Sequence, residues 1–305
     1  MSIKIGVGTG LGTPMPVEQY WRLVQLCEAL EIDSIWHSDQ LLRPSLEPIA
    51  MLAALATATK SLRFGMNAVV VSHRDPLIIA KECATIDYLA PGRLLPVFGV
   101  GDAADPAWKA TGRSPNGRGK RSNEAIALIR RLLSEDDVTF HGEFFRYENV
   151  SIAPRPARHI PIWIGGESEA AIQRTAAFGD GWLGGLTAPK TAGVVIARIK
   201  AALRNFDRQI DEDHFGVVVP FRVGGMDDPE VVSFRNAINA RRRETAETPV
   251  IAAGDQAAVV NVFRQYIEAG ISKFVALPLG SDPQDTQAQI QRLAEEVCPM
   301  VESTK

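Results

Sequence analysis

The sequence predicts an α/β protein in which eight parallel strands, each followed by a helix, close into a (β/α)8 barrel. Two observations carry this prediction: strand-like and helix-like segments alternate from end to end, and the strand-like runs are rich in apolar β-branched residues. A third is the length of 305 residues, which fits a closed barrel better than an open sheet. We therefore expect one domain over residues 1–305.

The predicted strands are short apolar runs bounded by turn residues. In chain order they cover residues 3–8, 34–37, 62–71, 93–99, 160–164, 181–184, 215–223 and 273–277. The first predicted helix, 17–30, places Tyr20, Leu23, Val24 and Cys27 on one face, as an amphipathic helix requires. The other predicted helices cover 48–59, 75–89, 123–133, a segment that starts near 167, 190–206, 256–269 and 283–301.

Two segments interrupt the alternation and predict insertions in the barrel. Residues 138–147 have the pattern of a β-hairpin and lead into the proline-rich run 153–156, so the first insertion covers about 138–156. The charged stretch 227–247 predicts a second insertion that is helical in part. Pro96 lies inside a predicted strand and lacks the N–H that a ladder needs, so we expect a bulge or a strand end beside it.

The composition is that of an ordinary globular protein and excludes several classes of partner. The net charge of -3 gives no support for nucleic acid or an anionic membrane as a partner. The three cysteines are far apart in apolar helical patterns, which favours buried thiols, and no metal site is predicted. Neither a signal peptide nor a bilayer-spanning run is evident, so we expect a cytoplasmic protein.

The fifth predicted strand runs directly into Gly165 and Gly166, and a helix follows. Glu167 or Ser168 can cap that helix. A glycine turn before a helix leaves free N–H groups at the positive end of the helix dipole, which suits a phosphate. The alternative is an ordinary βα loop that needs glycine only for its turn.

His37 and Asp39 lie two residues apart at the end of the second predicted strand, so their side chains share one face. In a barrel the active site lies at the C-terminal ends of the strands, where both side chains could serve proton transfer. The alternative is a hydrogen-bonded cluster without chemistry.

Two further strand ends carry candidate residues. Asn67 and Ala68 belong to a run of small residues that would let a flat ring approach the backbone, although simple packing explains them equally well. Gly99 belongs to a Gly-x-Gly that lacks the third glycine of a dinucleotide-binding fingerprint. Asp102 follows it, and at the mouth of a barrel its carboxylate would be an acid, a base or a polar anchor.

Taken together, these segments resemble the luciferase-like monooxygenase superfamily, and most closely the branch that uses the deazaflavin coenzyme F420. The resemblance covers residues 3 to about 297. Its most recognisable pieces are residues 34–39, 74–81, 87–93, 140–145, 160–166 and 179–182. It implies a TIM barrel with insertions that holds a flavin or deazaflavin at the C-terminal ends of its strands.

The resemblance also implies roles for individual residues. Asp39 would hydrogen-bond the deazaflavin ring, and the backbone of Gly165, Gly166, Glu167 and Ser168 would take the phosphate. A non-proline cis peptide behind the ring would fall at Asn67–Ala68, with Gly99 nearby. Asp102 occupies the position at which a related sugar-phosphate dehydrogenase has a catalytic glutamate.

Gln40 departs from that dehydrogenase, which has a histidine directly after the strand-2 aspartate. Because glutamine cannot act as an acid or a base near neutral pH, His37 or Asp102 would take that role, or hydride transfer would proceed without a strong protein acid. The candidate catalytic set is therefore His37, Gln40 and Asp102. The sequence has no convincing set of lysines that would bind a sugar phosphate. The substrate of the related dehydrogenase is therefore not expected for this chain.

We expect an oxidoreductase that moves a hydride between reduced F420 and a small organic substrate. One alternative is an FMN-dependent monooxygenase of the same fold, which uses reduced flavin and O₂. Another is a flavin- or deazaflavin-binding protein without catalysis, which the glutamine at position 40 motivates. The resemblance also implies a homodimer.

Overall fold

A computed structural model describes residues 2–9, 14–241 and 250–302 of the chain. Within these residues eleven strands form one parallel sheet, and two more pair as an antiparallel hairpin. The strands are β1 (Lys4–Gly8), β2 (Ser34–His37), β3 (Arg63–Met66), β4 (Val69–Val70), β5 (Leu94–Leu95), β6 (Val97–Gly99), β7 (Val138–His141), β8 (Arg146–Val150), β9 (Trp163–Gly165), β10 (Gly181–Gly184), β11 (Phe215–Val223), β12 (Ala252–Gly254) and β13 (Lys273–Pro278).

The sheet closes on itself because two of its strands are each broken into halves. β3 and β4 are separated by a cis peptide at Asn67–Ala68, and β5 and β6 are separated by Pro96. The first halves pair with each other, as do the second halves, and β6 then pairs with β9. Counting each broken strand once, eight parallel strands surround the axis, with β12 added beside β11. The predicted (β/α)8 barrel is confirmed, and so is the break at Pro96.

Helices follow the barrel strands and cover the outside of the sheet. They are α1 (Val17–Ala29), α2 (Pro48–Ala58), α3 (Pro76–Leu89), α4 (Ala107–Ala110), α5 (Arg118–Ser134), α6 (Glu169–Phe178), α7 (Pro189–Leu203), α8 (Pro229–Arg241), α9 (Gln256–Glu268), α10 (Pro283–Arg292) and α11 (Cys298–Glu302). A π-helical turn, Leu293–Val297, joins the last two. No helix in the described ranges is both long and apolar enough to cross a bilayer.

Several predicted boundaries shift. The fifth barrel strand is Trp163–Gly165 rather than 160–164, and α5 begins at Arg118 rather than 123 because its first turn is polar and carries no apolar periodicity. Within the predicted insertion 138–156, β7 and β8 pair as an antiparallel hairpin. The charged insertion contains α8, and its residues 242–247 lie outside the described ranges. The short elements α4 and β12 were not predicted.

Apolar side chains fill the inside of the barrel, so its axis is a packed core rather than a channel. The interior set is Trp36, Leu95, Val97, Trp163, Leu183, Val218, Val275 and Leu277. The three cysteines are free and buried, as their apolar surroundings predicted. Space for a ligand is therefore left at the ends of the strands.

Candidate functional site

A cleft of about 660 Å³ opens at the C-terminal ends of the barrel strands. Nine of the eleven residues singled out in the sequence line it, and His37 and Ser168 do not. The lining comes from the segments that end or follow β2, β3, β6, β9 and β10. Its members are Asp39, Gln40, Arg43, Asn67, Ala68, Val70, Gly99, Val100, Gly101, Asp102, Asp105, Gly165, Gly166, Glu167, Leu183, Gly185, Leu186 and Thr187.

Three small residues form one flat part of this cleft. The cis peptide implied by the resemblance is present at Asn67–Ala68, and it places the Ala68 methyl group between two barrel strands. A Cβ added to Gly99 or to Gly165 would lie 3.5 Å from that methyl group. Because neither glycine has a side chain, the wall made by Ala68, Gly99 and Gly165 suits the face of a flat ring.

Asp39 is tied to the strand that carries this wall. Its carboxylate accepts a hydrogen bond from the Val70 backbone N–H at 2.9 Å, and its two oxygens accept from the two terminal nitrogens of Arg74. The Asp39 side chain is only 1% exposed, and Arg74 also pairs with Glu47 at 2.9 Å. Both carboxylate oxygens are thus engaged within the protein, and Asp39 joins the end of β2 to β4.

Arg74 is a residue that sequence reasoning did not select for the site. It lies inside one of the recognisable pieces, residues 74–81, directly before the Asp75 that caps α3. The pairing with Asp39 spans 35 positions and becomes visible only when the barrel closes.

The turn after β9 presents free backbone donors. Gly166 has a φ of +107°, and its carbonyl accepts a hydrogen bond from the Trp182 indole N–H at 2.7 Å, which fixes the turn. In the described part of the chain, the backbone N–H groups of Gly166, Glu167 and Ser168 donate to no acceptor. Ser168 caps α6 through its Oγ, which accepts from the Ala171 N–H at 3.3 Å. Three unpaired N–H groups at a helix N-terminus can bind a phosphate.

His37 points away from the cleft. It is 3% exposed, its Nδ1 lies 3.1 Å from Thr9 Oγ1, and its Nε2 lies 2.9 Å from the Tyr20 hydroxyl. Burial lowers its pKa to about 4, so the ring is neutral near pH 7. These contacts line a separate, much smaller cavity, so His37 is not in contact with the space that a cofactor would fill.

Asp102 and Gln40 both line the cleft. The exposed Asp102 carboxylate accepts one hydrogen bond, from the Ala104 N–H at 3.1 Å within its own turn. The Asp102 carbonyl accepts from the Trp108 indole N–H at 2.7 Å, which anchors the loop. The Gln40 side-chain amide has no partner among the described residues. A carboxylate and an amide are thus both free to meet a substrate.

One group of potential metal ligands lies outside the cleft. Asp211, Asp213 and His214 bring their ligand atoms within 4.8 Å of one another in the segment before β11, at the opposite end of the barrel. None of the three lines the cleft. Exposed acidic groups of this kind are common without a bound ion.

The cleft therefore combines a wall of small residues with unpaired backbone N–H groups in the turn before α6. Residues 1–296 match the family model described as luciferase-like monooxygenase. The chain belongs to the luciferase-like monooxygenase family. Oxidoreductases of this family include F420-dependent and flavin-dependent members, and their solved structures share the barrel of this chain.

Curated luciferase-like relatives align with part of the chain. An F420-dependent glucose-6-phosphate dehydrogenase of Intrasporangium calvum is 30% identical over 167 residues, which cover 51% of this chain and 50% of the relative. A 5,10-methylenetetrahydromethanopterin reductase of Archaeoglobus fulgidus is 28% identical over 200 residues, 65% of this chain and 59% of the relative. The chain spans about half the length of the curated relatives that it matches first.

Solved structures of luciferase-like enzymes superpose over almost the whole chain. An F420-dependent secondary alcohol dehydrogenase in complex with an F420–acetone adduct has a TM-score of 0.84 at 19% identity, covering 99% of each chain. The oxygenating constituent of 3,6-diketocamphane monooxygenase from Pseudomonas putida, in complex with FMN, has a TM-score of 0.79 at 13% identity, covering 98% of this chain and 99% of the other. At these identities the likeness shows the fold alone.

Proposed function

We propose that this luciferase-like protein is an oxidoreductase that transfers a hydride between reduced coenzyme F420 and a small organic substrate. One observation carries the proposal: a wall of small residues and the Gly166–Glu167 turn, whose backbone N–H groups are unpaired among the described residues, line the same cleft. A deazaflavin has a flat ring and a phosphate, which match these two features. The F420-dependent relatives support this cofactor over FMN.

The cofactor supplies the hydride chemistry when it is bound, and the chain binds and orients it. The backbone of Gly165, Gly166 and Glu167 and the N–H of Ser168 hold the phosphate. Asn67, Ala68 and Gly99 support the ring from behind. Asp39 acts through the backbone, since its hydrogen bond to Val70 holds the second half of the strand that carries Ala68.

Asp102 and Gln40 are the substrate-facing residues of the proposal. Asp102 moves a proton to or from the substrate, because its carboxylate lies at the cleft and is bound by only one N–H. Gln40 orients the substrate through its free amide. His37 keeps a structural role. Its ring is neutral near pH 7, and its two nitrogens are hydrogen-bonded to Thr9 and Tyr20, so it does not transfer a proton at the cleft.

An FMN-dependent monooxygenase is the second candidate, because the same N–H groups and the same wall would hold FMN. A fluorescence titration of the purified protein with F420 and with FMN separates the two. We expect saturable quenching with F420 at a lower concentration than with FMN. Tight binding of FMN with no binding of F420 would reject the first proposal in favour of the second.

Turnover with reduced F420 and a panel of enones, imines and aldehydes distinguishes an enzyme from a protein that only binds its cofactor. Oxidation of the reduced cofactor that depends on one of these compounds is expected. Binding without any turnover across the panel would favour the non-catalytic alternative. The homodimer and the cytoplasmic location stay predictions, and light scattering coupled to size-exclusion chromatography tests the first.

A further inference from the structure

The first turn of α5 carries an unusual set of charges. Arg118, Lys120 and Arg121 lie in or next to this turn, which contains no acidic residue. The residue before the helix, Gly117, offers no side-chain cap. Because the N-terminus of a helix is already positive, cations here are unfavourable unless an anion compensates them.

In the described part of the chain, the cations of this turn have few ion-pair partners or hydrogen-bond acceptors. Arg118 forms no ion pair there, and its Nε is buried without an acceptor. The Arg121 guanidinium lies over the Phe144 ring at 5.3 Å, and its Nε is also buried without an acceptor. Lys120 is 3.4 Å from Glu143, with both side chains exposed, and such pairs contribute little.

A fourth cation, Arg174 of α6, is buried beside them. It is 5% exposed, and its acceptors are the neutral Asn123 Oδ1 at 2.6 Å and the Gly119 carbonyl at 3.3 Å. Burial lowers its pKa, and no carboxylate pairs with it among the described residues. Among the described residues, Arg174 therefore lacks the carboxylate partner that a buried charge normally has.

Glu124, the acidic residue of the second turn of α5, is already engaged. Glu124 accepts hydrogen bonds from the backbone N–H groups of Glu143, Phe144 and Phe145. It therefore holds the hairpin insertion and does not neutralise the arginines.

Arg174 also connects these cations to the proposed phosphate site. It lies five residues after Glu169, where α6 begins, a rise of about 8 Å along the helix. Long helical side chains point back towards the N-terminus, and Arg174 reaches the first turn of α5 from there. Arg174 thus joins the first turn of α5 to α6, the helix that begins directly after the free N–H groups of Gly166, Glu167 and Ser168.

We propose that Arg118, Lys120, Arg121 and Arg174 form an anion-binding surface, the α5 surface, for the carboxylates that a cofactor carries beyond its phosphate. This inference rests on the proposed function and deepens it. F420 continues after its phosphate as a lactyl group with γ-linked glutamates, whereas FMN ends at its phosphate. The α5 surface thus selects the cofactor with the acidic tail.

The test compares two forms of F420, one with several glutamates and one with none, by fluorescence quenching of the protein and of Arg118→Ala. The Arg118 side chain has no hydrogen-bond or ion-pair partner in the ranges that the structure describes, so the variant should fold. We expect the variant to bind the glutamylated form up to about fivefold more weakly, the loss typical of one partly exposed ion pair. Its affinity for the form without glutamates should change little. Arg155→Ala, which removes a cation paired with Asp136 at the other end of the barrel, is the matched control.

The other possible results contradict either the α5 surface or the proposed cofactor. Equal weakening for both forms would mean that Arg118 contacts the phosphate, and it would overturn the tail surface alone. No weakening for either form in Arg118→Ala and in Lys120→Ala would overturn it as well. If the unsubstituted protein binds neither form, the proposed cofactor itself fails.

Discussion

The carboxylate of Asp39 and the guanidinium of Arg74 form a two-point ion pair that joins the end of β2 to the segment before α3. The pair lies directly behind the wall that would support a flat ring, because Asp39 also accepts the Val70 N–H of β4. Asp39 is 1% and Arg74 15% exposed, so the pair is largely withdrawn from water. The Asp39 carboxylate therefore affects the cleft through the β4 backbone to which it is hydrogen-bonded.

Removal of Arg74 should destabilise the protein strongly. In Arg74→Ala the Asp39 carboxylate stays buried with only the Val70 N–H to stabilise its charge. Breaking a buried pair in this way costs about 3 kcal/mol in free energy of unfolding. Urea denaturation measures the loss, and cofactor titration should show weaker binding because the strand behind the ring is no longer held.

Lys200→Ala provides the comparison, since it removes a surface pair with Glu212 whose side chains are 42% and 67% exposed. That change should cost at most about 1 kcal/mol. Similar decreases in the free energy of unfolding for Arg74→Ala and Lys200→Ala would show that the Asp39–Arg74 pair is as well hydrated as a surface pair.

A methyl group at position 166 should impair cofactor binding. Gly166 has a φ of +107°, which L side chains rarely adopt, and an added Cβ would lie 3.2 Å from the Ala171 Cβ. In Gly166→Ala the turn must change, and the three free N–H groups no longer converge on one anion. We expect affinity for F420 to fall at least about tenfold, the equivalent of one charge-assisted hydrogen bond.

The matched substitution is Gly193→Ala in α7, where an added Cβ would meet the Ala269 Cβ at an ordinary 3.6 Å. Alanine is the better residue in a helix, so stability should rise by up to about 1 kcal/mol while cofactor binding stays the same. Unchanged binding in Gly166→Ala would refute the role of this turn.

The stability of the protein should depend on His37 in mildly acidic solution. Its pKa is lowered from 6.5 to about 4 in the folded protein, so below pH 6.5 the unfolded chain binds a proton that the folded protein does not. The contribution of the neutral ring is complete above pH 6.5 and is lost as the pH falls through about 4. The loss should reach about 3 kcal/mol over this interval.

Urea denaturation of the protein and of His37→Asn between pH 7.5 and pH 4.5 isolates this effect. Stability of the variant should be lower at pH 7.5 and should fall less steeply with acidification. If the slope of His37→Asn matched that of the unsubstituted protein, the His37 ring would have to titrate near its ordinary pKa.

Turnover should depend on the carboxylate of Asp102. Asp102→Asn keeps the shape of the turn and removes the acid, so the rate should fall by about 10²-fold, in the range typical of general acid–base catalysis. Affinity for F420 should stay within a factor of about 2, because Asp102 lies outside the proposed phosphate turn. Partial recovery in Asp102→Glu would support proton transfer, and full activity in Asp102→Asn would exclude it.

Local patterns in the sequence were sufficient to predict much of the fold. Alternating apolar segments located the strands of the barrel, and β2, β10 and β11 agree with the prediction to the residue. Pro96 predicted the break between β5 and β6 because it lacks an N–H. Two glycines before a capping serine predicted the turn at Gly166, since glycine conformation and helix capping are properties of neighbouring residues.

Only the tertiary structure decided which polar groups meet. His37 ends β2 and Asp39 lies two residues beyond it, yet His37 binds Tyr20 in a separate small cavity and Asp39 binds Arg74 at the cleft. Arg174 and the first turn of α5 likewise come together only when two helices pack side by side. The periodicity of apolar residues indicates which face of a helix or strand is buried. A hydrogen bond between residues that are distant in sequence depends on how several elements pack. No local sequence pattern specifies that packing.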